Sequence, residues 1–156
     1  MAADVPRIDP TTTLRAAVAV LLERGWEAGV VETDGAPQGV LGRRQVLAAL
    51  SNRFRGYFSA QELSFAFLRA EAFGSEALRQ MWHSFWDEPV ASVMTRDLVV
   101  VGDDAPLTEA AERLANNCGA DLVVVVRDGR TVGALRAAEV LSWVASEREP
   151  RLGLRS

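Results

Sequence analysis

The feature that most constrains the fold of this chain is an internal repeat. Residues 29–47 read GVVETDGAPQGVLGRRQVL, and residues 123–141 read VVVVRDGRTVGALRAAEVL. When the two segments are aligned with an offset of 94, eight positions are identical, and an Asp-Gly pair is among them. We interpret this match as an internal duplication, so the chain is expected to fold as two similar units that share a core.

Each copy carries the same order of local signals. A short apolar segment and a polar break with Pro precede a helix, which ends at a Gly. A valine-rich strand then leads through an Asp-Gly hairpin to a return strand and a second helix. The predicted bounds are Thr13–Arg24 and Leu107–Asn117 for the first helix, Gly29–Val31 and Leu122–Val126 for the buried strand, Leu41 and Leu135 for the end of the return strand, and Arg43 and Arg136 for the start of the second helix. The predicted unit is therefore β-α-β-β-α, twice.

The segment between the copies differs from both of them in composition. Nine of the eleven aromatic side chains lie between Phe54 and Trp86, at spacings that predict two helices. The predicted division is repeat 1 at residues 1–51, an aromatic-rich helical insert at 52–88, and repeat 2 with a C-terminal tail at 89–156. Two interpretations of the insert stay open, which are packing on the chain's own core and a protein–protein surface formed by residues 54–86.

Composition excludes several classes of function. The 17 basic residues are all Arg, and 21 acidic residues give a net charge of −4, which argues against nucleic acid as a partner. One cysteine, Cys118, and one histidine, His83, exclude an intramolecular disulfide and a Cys/His metal cluster. No leader pattern and no apolar run of roughly 20 residues occur, so we predict a soluble, cytoplasmic protein that does not enter a membrane. Without an acid–base or nucleophile constellation, we predict that it is not an enzyme.

The repeated unit resembles the cystathionine-β-synthase (CBS) domain, and the tandem pair resembles the Bateman module. The resemblance is carried by Asp9–Leu14 and Val30–Leu41 in the first copy, and by Val93–Asp97, Asp104–Leu107 and Val124–Leu135 in the second. It implies an α+β fold of two β-α-β-β-α CBS repeats packed pseudo-symmetrically through their sheets, with a helical insert between them. It also implies a disc-like homodimer and two clefts between the repeats that often take adenosine-containing ligands.

The ligand signature of this family, G-h-x-[ST]-x-x-[DN], is altered in both copies. In the first copy Gly42 replaces the hydroxyl residue, and Gln45 replaces the carboxylate that accepts from the ribose. In the second copy Arg136 and Glu139 hold these positions, so the acid function is kept on a longer arm. Arg43 and Arg136 place guanidinium groups where phosphates would lie, and Arg binds phosphate through two parallel hydrogen bonds.

The resemblance therefore implies a set of nucleotide-binding positions, and it favours the cleft that contains Glu139. The predicted set is Gly42, Arg43 and Gln45 from the first signature, and Thr95, Ala120, Asp121, Leu135, Arg136 and Glu139 from the second copy. The alternative is that the Arg and Glu residues are exposed first-turn residues and that side chains fill the clefts.

Two functions follow from the resemblance. The first is a stand-alone regulatory or sensory module that binds an adenine nucleotide and acts through a partner protein or a rearrangement of the dimer. AMP, ADP, ATP, S-adenosylmethionine and cyclic dinucleotides are the candidate ligands. The second is a ligand-free dimerisation or scaffolding module that interacts through the helical insert.

Overall fold

The computed structural model describes residues 4–55, 76–116 and 122–146, and the same five-element unit occurs twice in these ranges. The first unit consists of β1 Arg7–Ile8, α1 Leu14–Arg24, β2 Ala28–Thr33, β3 Ala36–Gly42 and α2 Arg43–Phe54. The second consists of β4 Val100–Gly102, α4 Leu107–Asn116, β5 Leu122–Arg127, β6 Arg130–Arg136 and α5 Ala137–Ala145, and α3 Glu76–Trp86 and a short 3₁₀ turn Val90–Ser92 precede it. None of the helices in these ranges is long and apolar enough to cross a membrane.

Strand register shows that the two units are copies of each other. Each forms a three-stranded sheet whose middle strand, β2 or β5, pairs in parallel with the first strand and antiparallel with the third. In both antiparallel pairs the register shifts once, and the shift falls after Val31 in the first copy and after Val125 in the second. These two positions differ by the offset of 94, so the predicted duplication is confirmed at the level of single hydrogen-bonded pairs.

Both hairpins turn at the predicted Asp-Gly pairs. Asp34 and Asp128 each have φ of 54°, and Gly35 and Gly129 follow with φ of 82° and 78°. Positive φ at both central residues defines the type I′ turn, whose twist matches that of the strands it joins. Gly adopts this conformation without steric cost, and Asp tolerates it better than most residues.

Helix α1 begins and ends close to its predicted bounds. The Thr13 hydroxyl accepts a hydrogen bond from the Ala16 N–H at 3.2 Å and caps the helix, and Gly25 ends it with φ of 68°. Upstream, Thr11 donates from its hydroxyl and its N–H to the Asp9 carboxylate, and these bonds lower the pKa of Asp9. The corresponding stop in the second copy, Gly119, lies outside the described residues.

The two sheets pack against each other through one face of each. Alternate residues of β5 and β6 point to opposite sides of their sheet, as the two-residue period of a strand requires. Leu122, Val124 and Ala134 lie in the core cluster of the first repeat. Val123, Val125 and Leu135 lie in a second cluster with residues of α4 and α5. The strands are therefore buried on both faces, and the predicted packing of the repeats through their sheets is confirmed.

Helix α3 packs on the first repeat through its aromatic side chains. Phe85 and Phe54 are fully buried in the core of that repeat. The Phe85 ring centroid lies 5.0 Å from that of Trp86, and the Phe54 centroid lies 5.8 Å from that of Trp82. Packing on the chain's own core is therefore observed for Phe54 and Phe85, and the protein–protein surface stays a prediction. Residues 56–75 of that surface lie outside the described residues.

The chain that leads into the second repeat is hydrogen-bonded to the first. The Leu14 N–H donates to the Glu88 carbonyl at 2.9 Å, and the Val90 N–H donates to the Thr12 carbonyl at 2.8 Å. A third link joins the two hairpins, where the Thr131 N–H donates to the Gly35 carbonyl at 2.8 Å. Main-chain bonds between the copies thus supplement the packing of the sheets.

Candidate functional site

Both signature segments lie where a return strand passes into the second helix. Gly42 pairs with Ala28, and Arg136 pairs with Leu122, so each signature lies beside the start of its middle strand. The residues just before β2 are Trp26 and Glu27, and the equivalent residues before β5 are Ala120 and Asp121. Ala120 and Asp121 lie outside the described residues, so their predicted role stays a prediction.

At the first signature, side chains form local contacts at the helix start. The Gln45 Oε1 accepts a hydrogen bond from the Gly42 N–H at 2.7 Å, as the third helical residue does in a capping box. The Arg43 N–H donates to the Glu27 carbonyl at 3.0 Å, and its Nη2 donates to the Trp26 carbonyl at 3.4 Å. Gln45 Oε1, the acceptor that the resemblance assigns to a ribose hydroxyl, therefore already has a donor at the start of helix α2.

At the second signature, Arg136 has partners in both repeats. Its Nε donates to Glu139 Oε1 at 2.5 Å, three residues further along the chain. Its guanidinium carbon lies 4.3 Å from the ring centroid of Trp26, which belongs to the first repeat and is 7% exposed. A guanidinium over an indole face is attracted by the negative face of the ring. The structure thus brings together a cation, a carboxylate and an aromatic ring.

The Glu139 carboxylate is only partly satisfied by these contacts. Its side chain is 20% exposed, and its Oε2 is buried with no hydrogen-bond partner among the described residues. A buried carboxylate oxygen without a donor raises the free energy of the folded state. A hydroxyl group brought by a ligand would supply the missing donor.

Thr95 lies against the first signature strand. Its carbonyl accepts from the Val40 N–H at 2.9 Å, and its N–H donates to the Val40 carbonyl at 3.0 Å. Its hydroxyl accepts from the Asp97 N–H at 3.2 Å, so this oxygen shapes the local turn. Thr95 therefore lies beside the signature strand of the first copy, and its predicted role in nucleotide binding stays a prediction.

The Leu135 side chain is fully buried in the core of the second repeat, where it stabilises the sheet. Because side chains alternate along a strand, the residue just before Arg136 points to the opposite face. A contact of Leu135 with a nucleotide would have to come from its main chain, and its predicted role stays a prediction.

Trp26 is the site residue that sequence reasoning missed. Two signals pointed to it, since it is the only aromatic residue before Phe54 and it aligns with Ala120 at the offset of 94. Ala120 was in the predicted binding set, and the repeat alignment therefore extended that set to Trp26. The backbone of Trp26 contacts Arg43 and its ring contacts Arg136, so it touches both signatures.

Comparisons with known proteins identify the repeated unit. The family model of the CBS domain matches residues 1–52 and 90–146. A solved CBS domain-containing protein from Kribbella flavida DSM 17836 superposes with a TM-score of 0.66 at 24% identity, covering 94% of this chain and 96% of that one. CBSX2, solved in complex with AMP, superposes with a TM-score of 0.63 at 22% identity, covering 91% and 88%. Structures at this identity show the fold alone.

One curated protein also matches part of the chain. The A-adding tRNA nucleotidyltransferase of Aquifex aeolicus (strain VF5) is 32% identical over 74 residues, which are 47% of this chain. The match spans 9% of that protein, so it covers a small segment of a much larger enzyme.

Proposed function

Since this chain belongs to the CBS domain family, with a copy in each half, we propose that it is a regulatory module that binds an adenine nucleotide beside Arg136 and Glu139. The observation that carries the proposal is the buried Glu139 Oε2, which has no hydrogen-bond partner among the described residues. It lies at the signature position whose carboxylate accepts from ribose in this family. The complex of CBSX2 with AMP supports the ligand class.

The chemistry of the second signature suits a nucleoside phosphate. Glu139 supplies charge-assisted acceptors for ribose hydroxyls, and Arg136 supplies a planar donor fork for phosphate oxygens. Both residues lie at the start of helix α5, where the helix dipole also favours an anion. Among the candidate ligands, AMP, ADP and ATP offer both a phosphate for Arg136 and a ribose whose two hydroxyls are free to donate to Glu139.

The first signature is less suited to a second ligand molecule. Gln45 uses its carbonyl oxygen to cap helix α2 and carries no charge. Neutral hydrogen bonds are weaker than charge-assisted ones, so a ribose would gain less there. We therefore assign the ligand to the cleft of the second repeat.

Calorimetric titration tests the site. We expect AMP, ADP or ATP to bind the purified chain, and Glu139→Gln to raise the Kd about tenfold because it replaces a charged acceptor by a neutral one. Glu112→Gln makes the same change at an exposed position on α4 and should leave the Kd unaltered. The absence of heat at millimolar nucleotide would refute the proposal, and equal effects of the two substitutions would refute the site.

A bound nucleotide would act by changing how the two repeats are placed relative to each other. A ligand shifts such an equilibrium only through its different affinity for the two arrangements. A ligand that contacts Arg136 of one repeat beside Trp26 of the other would provide that difference, and a partner protein or dimer mate would sense it. No catalytic step is proposed.

The second candidate is a ligand-free scaffolding module. The observation that favours it is that both altered signatures make contacts within the chain, Gln45 with Gly42 and Arg136 with Glu139. An absorbance maximum near that of adenine in the supernatant of heat-denatured, freshly purified protein would favour the sensor.

The homodimer that the family resemblance implies is also a proposal, and exposed leucines support it. Leu47 on α2 and Leu141 on α5 hold the same repeat position and are 61% and 68% exposed. Apolar surface left open at equivalent positions suits contact with a second, symmetry-related copy. We expect light scattering to give twice the chain mass of 16.9 kDa. Leu47→Arg combined with Leu141→Arg should give the single-chain mass, and a single-chain mass for the unmodified protein would contradict the dimer.

A further inference from the structure

Arg136 is the residue at which the proposed ligand site and the contact between the repeats coincide. Its guanidinium pairs with Glu139 of the same repeat and covers the Trp26 ring of the other repeat. Because Trp26 is 7% exposed, its ring is almost completely covered in this arrangement. A phosphate that draws the guanidinium away would therefore disturb an ion pair within one repeat and a ring contact between the two.

We infer that Arg136 acts as a latch between the repeats. Its contacts with Glu139 and Trp26 keep the latch closed when no ligand is bound, and a nucleoside phosphate opens it. The inference rests on the proposed function, since it assigns the trigger to the same ligand. In the closed state Arg136 neutralises Glu139 and stacks on Trp26. In the open state the phosphate holds Arg136, Glu139 accepts from the ribose, and the Trp26 ring loses its cation.

Charge decides which ligands open the latch. A phosphate group offers more negative charge and more acceptor oxygens than the single Glu139 oxygen that Arg136 now contacts. Adenosine offers neither, and the sulfonium group of S-adenosylmethionine would repel the guanidinium. The latch therefore selects nucleoside phosphates over adenosyl ligands that lack a phosphate, which narrows the ligand class of the site.

The position of Trp26 carries the change towards the first signature. Its carbonyl accepts from Arg43 at the start of α2, while its ring receives Arg136 from the end of β6. The sheets pack through the side chains of Leu122, Val124 and Ala134, which lie in the core cluster of the first repeat, whereas the latch uses the guanidinium of Arg136. Opening would therefore alter the relative orientation of the repeats without separating them.

The experiment follows Trp26 by fluorine NMR. The chain contains four tryptophans, so incorporation of 5-fluorotryptophan gives four resonances, and Trp26→Phe identifies one of them. ADP and adenosine are titrated separately, and calorimetry measures binding on the same samples. We expect ADP to shift the Trp26 resonance, with the same titration midpoint as the calorimetric signal. Adenosine should leave the resonance in place.

Two substitutions at Arg136 and one control complete the test. Arg136→Ala should place the Trp26 resonance near its ADP-bound position before any ligand is added, and should weaken ADP binding about tenfold or more. Arg136→Lys keeps the charge without the planar fork, so ADP binding should fall less while the resonance still moves. Arg113→Ala removes an exposed Arg of α4 and should change neither quantity. Circular dichroism tests whether each variant is folded. If Arg136→Ala does not fold, Arg136→Lys alone provides the test.

The outcomes separate the latch from the site. If ADP binds and the Trp26 resonance stays in place, the latch is refuted and the binding site stands. If ADP and adenosine move the resonance equally, the selection by charge is refuted. If ADP does not bind, AMP and ATP are titrated in its place, and if none of the three binds, the proposed function fails and the ligand-controlled latch fails with it.

Discussion

Replacing Phe85 by Ala is expected to lower the free energy of unfolding by about 4 kcal/mol, because truncating a buried aromatic ring leaves a cavity. Phe85 is fully buried in the core of the first repeat, although it lies in the segment between the two copies. Its ring contacts Trp86, and the Arg53 guanidinium carbon lies 5.6 Å from its centroid. Urea denaturation followed by circular dichroism measures the loss.

His83→Ala is the matched control for this substitution. His83 lies on the same helix and is exposed, so its loss should change the free energy of unfolding by less than about 0.5 kcal/mol. A cost for Phe85→Ala as small as that of the control would mean that helix α3 does not belong to the core of the first repeat. A large cost would show that helix α3, at the end of the insert, contributes to the stability of the first repeat.

Replacing Gly39 by Ala is expected to cost about 3 kcal/mol, because the added methyl group overpacks a closed contact. A Cβ at this position would lie 2.5 Å from the Thr95 carbonyl oxygen and 2.9 Å from the Met94 sulfur. The sulfur can move, but the carbonyl accepts from the Val40 N–H and belongs to the link between the repeats. The substitution therefore forces Thr95 away from β3, and thermal unfolding should detect the loss.

Gly25→Ala is the control that distinguishes the cost of this close contact from the cost of losing the conformational freedom of glycine. Gly25 has φ of 68°, and a Cβ there would meet nothing within 4 Å, so Ala adds backbone strain alone, about 1 kcal/mol. Gly39 does not have a positive φ, and its cost arises from the close approach. If Gly39→Ala unfolds at the temperature of the unmodified chain, the segment containing Thr95 is not seated on β3.

Local signals explain why much of the fold could be predicted. The Asp34-Gly35 and Asp128-Gly129 turns follow from residues that favour positive φ, and the valine runs follow from burial on both faces of a strand. The offset of 94 then fixed which strands correspond, because a duplicated sequence repeats its register. Each of these inferences depends on residues close together in the chain.

The candidate site was harder to predict because its decisive contact is long-range. Trp26 and Arg136 are separated by most of the chain, and no local pattern indicates which cation will lie over which ring. Gln45 shows a different limit, since the same position suits a ribose contact and a helix cap, and the structure shows the cap. For Leu135, attention to strand alternation would have assigned the side chain to the core.

The hydrogen bonds from Leu14 to Glu88 and from Val90 to Thr12 have a consequence for the evolution of this chain. They attach the lead-in of the second copy to the first, so a gene cut between the copies would deprive each product of main-chain partners. Those N–H and carbonyl groups would have to be satisfied by water instead, so we expect the pair of repeats, rather than the single repeat, to be the smallest unit that recombination can move without loss of stability.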